Sequence, residues 1–159
     1  MIVRRLRIDE LLAALARHHV EFVVIGGLAL PANGYVRATK DLDIVPSPDP
    51  ANLDRLAEAL DAIDAEVDLG DLSGELGIEP DAQGLRLGGN WVLQTSFGRL
   101  DVLQDVAGMR SYDQLRRGAI EDDGVFFAGY EDLIAMKVAA GRAQDLIDIA
   151  ELERARGER

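Results

Sequence analysis

The sequence predicts an α/β (α+β) domain in which a small mixed β-sheet is flanked by helices. Short apolar runs bounded by glycine or proline alternate with stretches that have the apolar spacing of helices. The chain has 159 residues, the length of one domain of ordinary size that can bury its own core. Its content of 48% hydrophobic and 29% charged residues is typical of a globular protein. We therefore expect a single domain over residues 1–159.

The first part of the chain predicts a helix, a strand, a tight turn and a second strand. Each element rests on a local signal: a capping residue, a β-branched run, a glycine pair or a proline that ends a strand. The predicted elements are a helix over residues 9–19 capped by Asp9, a strand over 22–25 ending at Gly26-Gly27, a short helix over 28–33, a strand over 40–45, and an amphipathic helix that begins at Asp49 or Asn52 and reaches Ile63.

The second part of the chain predicts a hairpin followed by two closing helices. Residues 66–90 are rich in glycine and are expected to be mostly loop, with a possible short strand over 85–87. Strands over 91–96 and 99–106 would form a hairpin, because Gly98 can adopt the positive φ that such turns need. A further strand is expected over 125–128, and helices over 130–140 and 143–154.

Composition excludes several classes of function. The chain contains no cysteine, which excludes disulfides, zinc-thiolate sites and thiol nucleophiles and fits a cytoplasmic location. Asp9 and Glu10 interrupt the basic N-terminus before any long apolar stretch, so neither export nor a membrane span is indicated. A formal net charge of -12 opposes attraction to polyanions, so any RNA would need a local contact or the help of a partner.

Two alternating carboxylates in the second predicted strand suggest a metal site. Asp41 and Asp43 project to one face of the strand, where their charges repel unless a divalent cation such as Mg²⁺ lies between them. Asp101 stands in a similarly apolar strand, whereas Asp105 falls at its end and is expected to be exposed. The alternatives are acids on the solvent face of an edge strand, or acids with a structural role only.

The glycine pair and the only lysine in the second half of the chain each have two interpretations. Gly26-Gly27 connects a strand to a helix, where backbone N–H groups bind anions, although such pairs are also common in ordinary turns. Lys137 lies in an apolar helix; it could extend to water, or it could pair with a triphosphate or with an acid. Asp145 and Asp148 share a face of the last helix and could form a structural ion-pair cluster with Arg142.

These motifs, taken together, resemble the minimal nucleotidyltransferases of the polymerase-β-like superfamily. The resemblance rests on Gly26-Gly27, on the pattern Arg37-x-Thr39-x-Asp41-x-Asp43 and on the later Asp101. It is strongest to the group that includes abortive-infection-type toxins and their uncharacterised bacterial relatives. Residues 132–148 are similar to the closing helices of that group, so the resemblance spans about residues 20–152. It implies a palm core with C-terminal helices.

The resemblance implies a reaction and a role for each matching residue. The reaction is transfer of a nucleoside monophosphate from an NTP to a hydroxyl of RNA such as tRNA, of a protein or of a small molecule, with a cognate antitoxin or regulator as a possible partner. Asp41 and Asp43 would bind two Mg²⁺ (or Mn²⁺) ions, and Asp101 would share one ion and orient the acceptor. The implied nucleotide-binding residues are Gly26, Gly27, Arg37, Thr39, Lys137 and Asp145.

One departure from the family pattern leaves two hypotheses open. Many relatives place a serine or threonine in the glycine turn, where its hydroxyl contacts a phosphate, whereas here Leu28 follows Gly26-Gly27. Arg37 and Thr39 could compensate for the missing hydroxyl, or they could simply belong to the loop that enters the strand. The chain is therefore expected to be an active nucleotidyltransferase or, alternatively, a catalytically weak nucleotide-binding module that acts through a protein partner.

Overall fold

The computed structural model describes residues 4–68 and 78–158. The chain divides into two compact units, each built from two segments. The first unit comprises Met1–Phe22 and Lys40–Asp105, and the second comprises Val23–Thr39 and Val106–Arg159. The strands are β1 (Phe22–Ile25), β2 (Asp41–Pro46), β3 (Glu66–Val67), β4 (Asn90–Thr95), β5 (Gly98–Leu103), β6 (Ile120–Asp122) and β7 (Val125–Phe127). The α-helices are α1 (Ile8–Arg17), α2 (Pro50–Ala62), α3 (Ala82–Arg86), α4 (Tyr112–Arg117), α5 (Tyr130–Ala140) and α6 (Ala143–Gly157).

Four strands of the first unit lie in the order β3, β4, β5 and β2. The β4 and β5 strands form the predicted hairpin, whereas β2 runs parallel to β5. This register places Asp43 beside Asp101 and Asp41 beside Arg99. Leu42, Ile44, Leu100 and Val102 alternate with these polar residues and are fully buried or nearly so, which fixes the face on which the acids lie.

The helices of the first unit begin at different kinds of cap. Asp49 accepts a hydrogen bond from the Ala51 N–H, which confirms the predicted start of α2. The prediction that Asp9 caps α1 is wrong, because the helix begins at Ile8 and Asp9 lies in its first turn. Arg7 takes the N-cap position instead, because its carbonyl accepts from the Leu11 N–H at 3.1 Å, and its own N–H donates to the Phe97 carbonyl at 2.8 Å. Asp9 there complements the positive end of the helix dipole.

The glycine-rich stretch contains more structure than its composition predicts. The expected strand over 85–87 is wrong, because Ala82–Arg86 forms α3 and Leu85 is fully buried. Asp81 caps this helix by accepting from the Gly84 N–H at 2.8 Å. Strand β3, which pairs with β4, lies at the start of the same stretch. Residues 69–77, which fall within the predicted loop, lie outside the described residues.

The second unit combines a three-stranded arrangement with helices. The strand order is β1, β7 and β6, with β1 parallel to β7 and β6 antiparallel to it. After β1 the chain makes two 3-10 turns, Gly26–Ala29 and Pro31–Asn33, where the sequence predicted one short helix. Helices α5 and α6 confirm the two predicted closing helices, although α6 extends to Gly157. Strand β6 and helix α4 were not predicted.

The expected fold class is confirmed, because both units combine parallel and antiparallel strands with flanking helices. Each unit also buries apolar side chains from its helices. In the first unit these include Leu11, Leu15, Leu56 and Leu60, and in the second unit Leu115, Leu133 and Leu152. Within the two described stretches, no helix combines the length and the apolar character that crossing a membrane requires.

Candidate functional site

Three carboxylates meet on one face of the first unit. Asp41, Asp43 and Asp101 each offer an oxygen, and the three oxygens lie within 4.8 Å of one another. Alternation along β2 puts Asp41 and Asp43 on the same face, and the parallel register of β5 brings Asp101 beside Asp43. Hard oxygen donors in this number and spacing suit a divalent cation such as Mg²⁺. The residues therefore fit the metal that the sequence resemblance implies.

Asp43 is the member of this cluster whose carboxyl group is least compensated by its surroundings. Its Oδ1 is buried and has no hydrogen-bond partner among the described residues. Burial, together with the negative charges of Asp41 and Asp101, raises the pKa of Asp43 to about 8. A buried polar atom without a partner is costly, and a cation beside it would remove that cost. Asp43 is thus the member of the cluster that gains most from a bound metal.

Arg99 supplies the positive charge that the sequence interpretation missed. Its Nε donates to Asp101 Oδ1 at 3.0 Å and its Nη2 donates to Asp101 Oδ2 at 3.1 Å. The same Nε lies 3.8 Å from Asp41 Oδ2. Burial raises the pKa of Asp101, and the hydrogen bonds from Arg99 oppose that rise. The alternation of residues 99 and 101 on one strand face was the signal that could have identified Arg99.

The raised pKa of Asp43 predicts that the metal-free protein loses stability as the pH rises. The unfolded chain has an Asp pKa of about 3.9, so the folded state holds a proton that the unfolded state releases. The contribution of this proton to the free energy of unfolding is fully present below about pH 4. It is lost as the pH rises through the folded pKa of about 8. Between these two pH values the free energy of unfolding therefore falls with pH. Asp43→Asn should make this dependence less steep, by up to ~1.4 kcal/mol per pH unit.

Urea unfolding in EDTA between pH 5 and pH 8 measures this effect. Asp105→Asn is the matched control, because Asp105 is exposed at the end of β5, as the sequence predicted. The control should keep the slope of the wild-type protein. Equal slopes in the wild type and in Asp43→Asn would show that Asp43 ionises normally.

The second unit contains the predicted nucleotide-binding residues. Gly26 has a φ of 71°, a left-handed conformation that favours glycine. A Cβ at Gly27 would lie only 2.9 Å from Thr39 Oγ1 and 3.3 Å from Arg37 Nη1. The structure therefore brings Gly27, Arg37 and Thr39 together, and the close approach of Thr39 explains why glycine occupies position 27.

Lys137 and Asp145 belong to a buried ion cluster in the same unit. Lys137 is 6% exposed, which rules out the alternative that its ammonium group extends to water. Its Nζ donates to Asp148 Oδ2 at 2.8 Å and lies 3.7 Å from Asp145 Oδ1. Arg142 donates to Asp145, which in turn caps α6 by accepting from the Arg142 N–H. The predicted ion-pair cluster of Arg142, Asp145 and Asp148 is confirmed, whereas nucleotide binding by Lys137 and Asp145 remains a prediction.

Comparison with known proteins identifies related sequences and folds. Residues 4–154 match the model of the family "Nucleotidyltransferase of unknown function (DUF6036)". The crystal structure of ANT(2'')-Ia in complex with adenylyl-2''-tobramycin has a similar fold, with a TM-score of 0.55 and 14% identity over 95% of this chain and 93% of that chain. The solution structure of the antibiotic-resistance factor ANT(2'')-Ia gives a TM-score of 0.55 and 16% identity over 93% and 79% of the two chains. No curated protein matches the sequence.

Proposed function

Since the chain belongs to the family "Nucleotidyltransferase of unknown function (DUF6036)", we propose that it moves a nucleoside monophosphate from an NTP to a hydroxyl acceptor with the help of Mg²⁺ or Mn²⁺. The single observation that carries the metal dependence is the cluster of Asp41, Asp43 and Asp101, with the partnerless Asp43 Oδ1 among them. An enzyme of this family needs an NTP and an acceptor. The structural similarity to ANT(2'')-Ia, at a TM-score of 0.55, supports the fold.

The three acids have distinct surroundings and hence distinct proposed roles. Asp41 and Asp43 would hold two divalent ions directly, and Asp101 would share one of them while remaining in contact with Arg99. These ions would supply the charge that makes the acceptor hydroxyl more acidic and that neutralises the pyrophosphate leaving the α-phosphate. Arg99 offsets part of the negative charge of the cluster and keeps the carboxylate of Asp101 oriented by two hydrogen bonds. Without such an oriented carboxylate, the acceptor would lack a fixed hydrogen-bond partner.

The second unit would bind the phosphates of the nucleotide. We assign this role to Gly26 and Gly27, with Arg37 and Thr39 supplying polar groups beside Gly27. Lys137 and Asp145 would contribute through the buried ion cluster. We also propose that residues 1–159 act as one nucleotidyltransferase domain.

The charge of the chain favours some acceptors over others. A net charge of -12 repels a polyanion, so we favour a neutral or cationic acceptor hydroxyl over tRNA. ANT(2'')-Ia is described with an adenylylated tobramycin, which makes a hydroxylated cationic small molecule the first acceptor to test. A toxin role, with an antitoxin or regulator as partner, is a separate proposal that rests on the sequence resemblance.

Labelled NTPs test the proposed function. Each NTP, labelled at the α-phosphate, is incubated with the protein, Mg²⁺ and one of three acceptors: tobramycin, total RNA or total protein. We expect label on one acceptor class with Mg²⁺ or Mn²⁺ and none in EDTA. In parallel, Mg²⁺ with NTP at about 100 times its Kd should stabilise the protein by ~2.7 kcal/mol.

Each outcome of this experiment bears on a different part of the proposal. Transfer that is equal in EDTA would exclude the metal dependence. An NTP that raises the melting temperature without any transfer would favour the alternative of a catalytically weak binding module. The absence of both stabilisation and transfer would contradict nucleotide binding altogether.

A further inference from the structure

The side-chain space beside Gly27 is filled by polar groups that follow later in the same segment of the second unit. Thr39 Oγ1 lies 2.9 Å from the position of a Cβ on Gly27, and Arg37 Nη1 lies 3.3 Å from it. A side chain at position 27 would collide with Thr39, so the turn itself presents only backbone. A hydroxyl and a guanidinium therefore lie at the turn although the turn sequence Gly26-Gly27-Leu28 contains neither.

The orientation of Arg37 is fixed by Asp148. Arg37 Nε donates to Asp148 Oδ1 at 2.9 Å and Nη2 donates to Asp148 Oδ2 at 3.0 Å. The remaining nitrogen, Nη1, donates to the Ala38 carbonyl at 3.0 Å and is the one that faces Gly27. Such a bidentate pair sets both the position and the plane of the guanidinium. Because Arg37 and Thr39 are two residues apart, fixing Arg37 also restricts where Thr39 can lie.

Asp148 is itself held by partners from two helices. It is fully buried, and it also accepts from Lys137 Nζ at 2.8 Å and from Gln144 Nε2 at 2.9 Å. Although burial raises its pKa, the hydrogen bonds from Arg37, Lys137 and Gln144 lower the pKa of Asp148 to about 2. The carboxylate therefore stays charged, and its pairing with Arg37 joins α6 to a segment 111 residues away in sequence.

We propose that Asp148 is a positioning residue for nucleotide binding. It holds Arg37 so that Nη1 and the Thr39 hydroxyl lie beside Gly27, where they can donate to a phosphate. Thr39 would thus supply the hydroxyl that the glycine turn lacks, and Asp148 would act through it without touching the nucleotide. This inference rests on the proposed nucleotidyltransferase function.

A double-mutant cycle tests whether Asp148 acts through Thr39. The affinities of the wild type, Asp148→Asn, Thr39→Val and the double variant for a non-hydrolysable NTP with Mg²⁺ are measured by calorimetry. Thr39→Val should weaken binding about tenfold, the loss of one hydrogen bond to a charged group, and Asp148→Asn at least as much, because it displaces Arg37 Nη1 as well. The double variant should be no more than about twofold weaker than Asp148→Asn, because that change already displaces the Thr39 hydroxyl. Arg154→Gln is the control, since Arg154 is exposed and pairs with Glu151 and Glu158 at the far end of α6.

Hydrogen exchange gives a second readout in the absence of nucleotide. Asp148→Asn should speed amide exchange over residues 35–39 and leave the central turns of α6 protected. Arg37→Gln, which breaks the same pair and leaves Asp148 with two of its side-chain donors, is measured in the same way. It replaces Asp148→Asn in the exchange experiment if the latter does not fold.

The outcomes separate this inference from the proposed function. Additive losses in the double variant, or variants that bind as tightly as the wild type, would overturn the role of Asp148 alone. A wild-type protein that binds no NTP would overturn the proposed function together with this role. Unchanged exchange over residues 35–39 in the variants would overturn the positioning step whatever the affinities are.

Discussion

Asp43→Asn is expected to lower the rate of nucleotidyl transfer by on the order of 10³-fold. The change removes the carboxylate that clusters with Asp41 and Asp101 and whose Oδ1 has no hydrogen-bond partner in the described part of the chain. Asparagine has nearly the same size, so packing is retained and the loss reports on charge. The measurement is single-turnover transfer of labelled NMP at saturating Mg²⁺ and NTP.

Asp105→Asn provides the comparison for this experiment. It is also a change from aspartate to asparagine, but Asp105 is exposed, lies just after the end of β5 and is outside the cluster. Its transfer rate should stay within about twofold of the wild type, the size of an ordinary surface change. Equal rates for wild type and Asp43→Asn would mean that the acid cluster is structural. The same result would remove the main support for metal-dependent catalysis.

Lys137→Met is expected to destabilise the fold by about 3 kcal/mol, as found when one partner of a buried ion pair is removed. The sequence alone allowed a loss within about 1 kcal/mol, on the interpretation that Lys137 extends to water. The structure instead buries it against Asp148 and Asp145. The expected value lies at the lower end of the range because Arg37 and Gln144 still donate to Asp148.

Thermal and urea unfolding measure this loss, which corresponds to a melting temperature lower by ~6–12 °C for a chain of this size. Lys40→Met is the matched control, since Lys40 is the other lysine of the sequence and is exposed. It should change the free energy of unfolding by less than about 0.5 kcal/mol. A loss much smaller than this for Lys137→Met would show that the hydrogen bonds from Arg37 and Gln144 are enough to stabilise the buried charge of Asp148.

Elements with strong local signals were predictable from the sequence. The β-branched run of β1, the Asp49 cap of α2 and the Gly98 turn of the β4–β5 hairpin each specify their structure within a few residues. The alternation of Asp41 and Asp43 also predicted a shared face without knowledge of neighbouring strands. The fold class followed from such local patterns, whereas the clustering of these acids with Asp101 was an implication of the family resemblance.

The missed elements had local signals that were overlooked. Asp123-Gly124 is a strong hairpin turn, and the positive φ of both residues joins β6 to β7. Ser111 caps α4 by accepting from the Gln114 N–H, a pattern that marks the start of a helix. Asp81 similarly caps α3, where Gly84 had suggested only a loop. Each of these elements is short or contains a glycine, so its capping or turn residue was not read as the start of an element.

The buried ion cluster could not be predicted from local patterns. Arg37 and Asp148 are 111 residues apart, and nothing near Arg37 in the sequence specifies an acidic partner. The burial of Lys137 likewise depends on how α6 packs against α5, because its own helix has no strongly one-sided apolar face. Such contacts depend on tertiary packing.

The protonated state of Asp43 would make metal binding by this chain dependent on pH. With a pKa of about 8, the carboxyl carries a proton at neutral pH. Any divalent cation that takes Asp43 as a ligand must displace that proton. Metal binding would then be an exchange reaction in which protons and divalent cations compete for the carboxylate oxygens of Asp43. A more alkaline medium would load the enzyme at a lower free magnesium concentration, so the two ion concentrations would jointly set the fraction of loaded molecules.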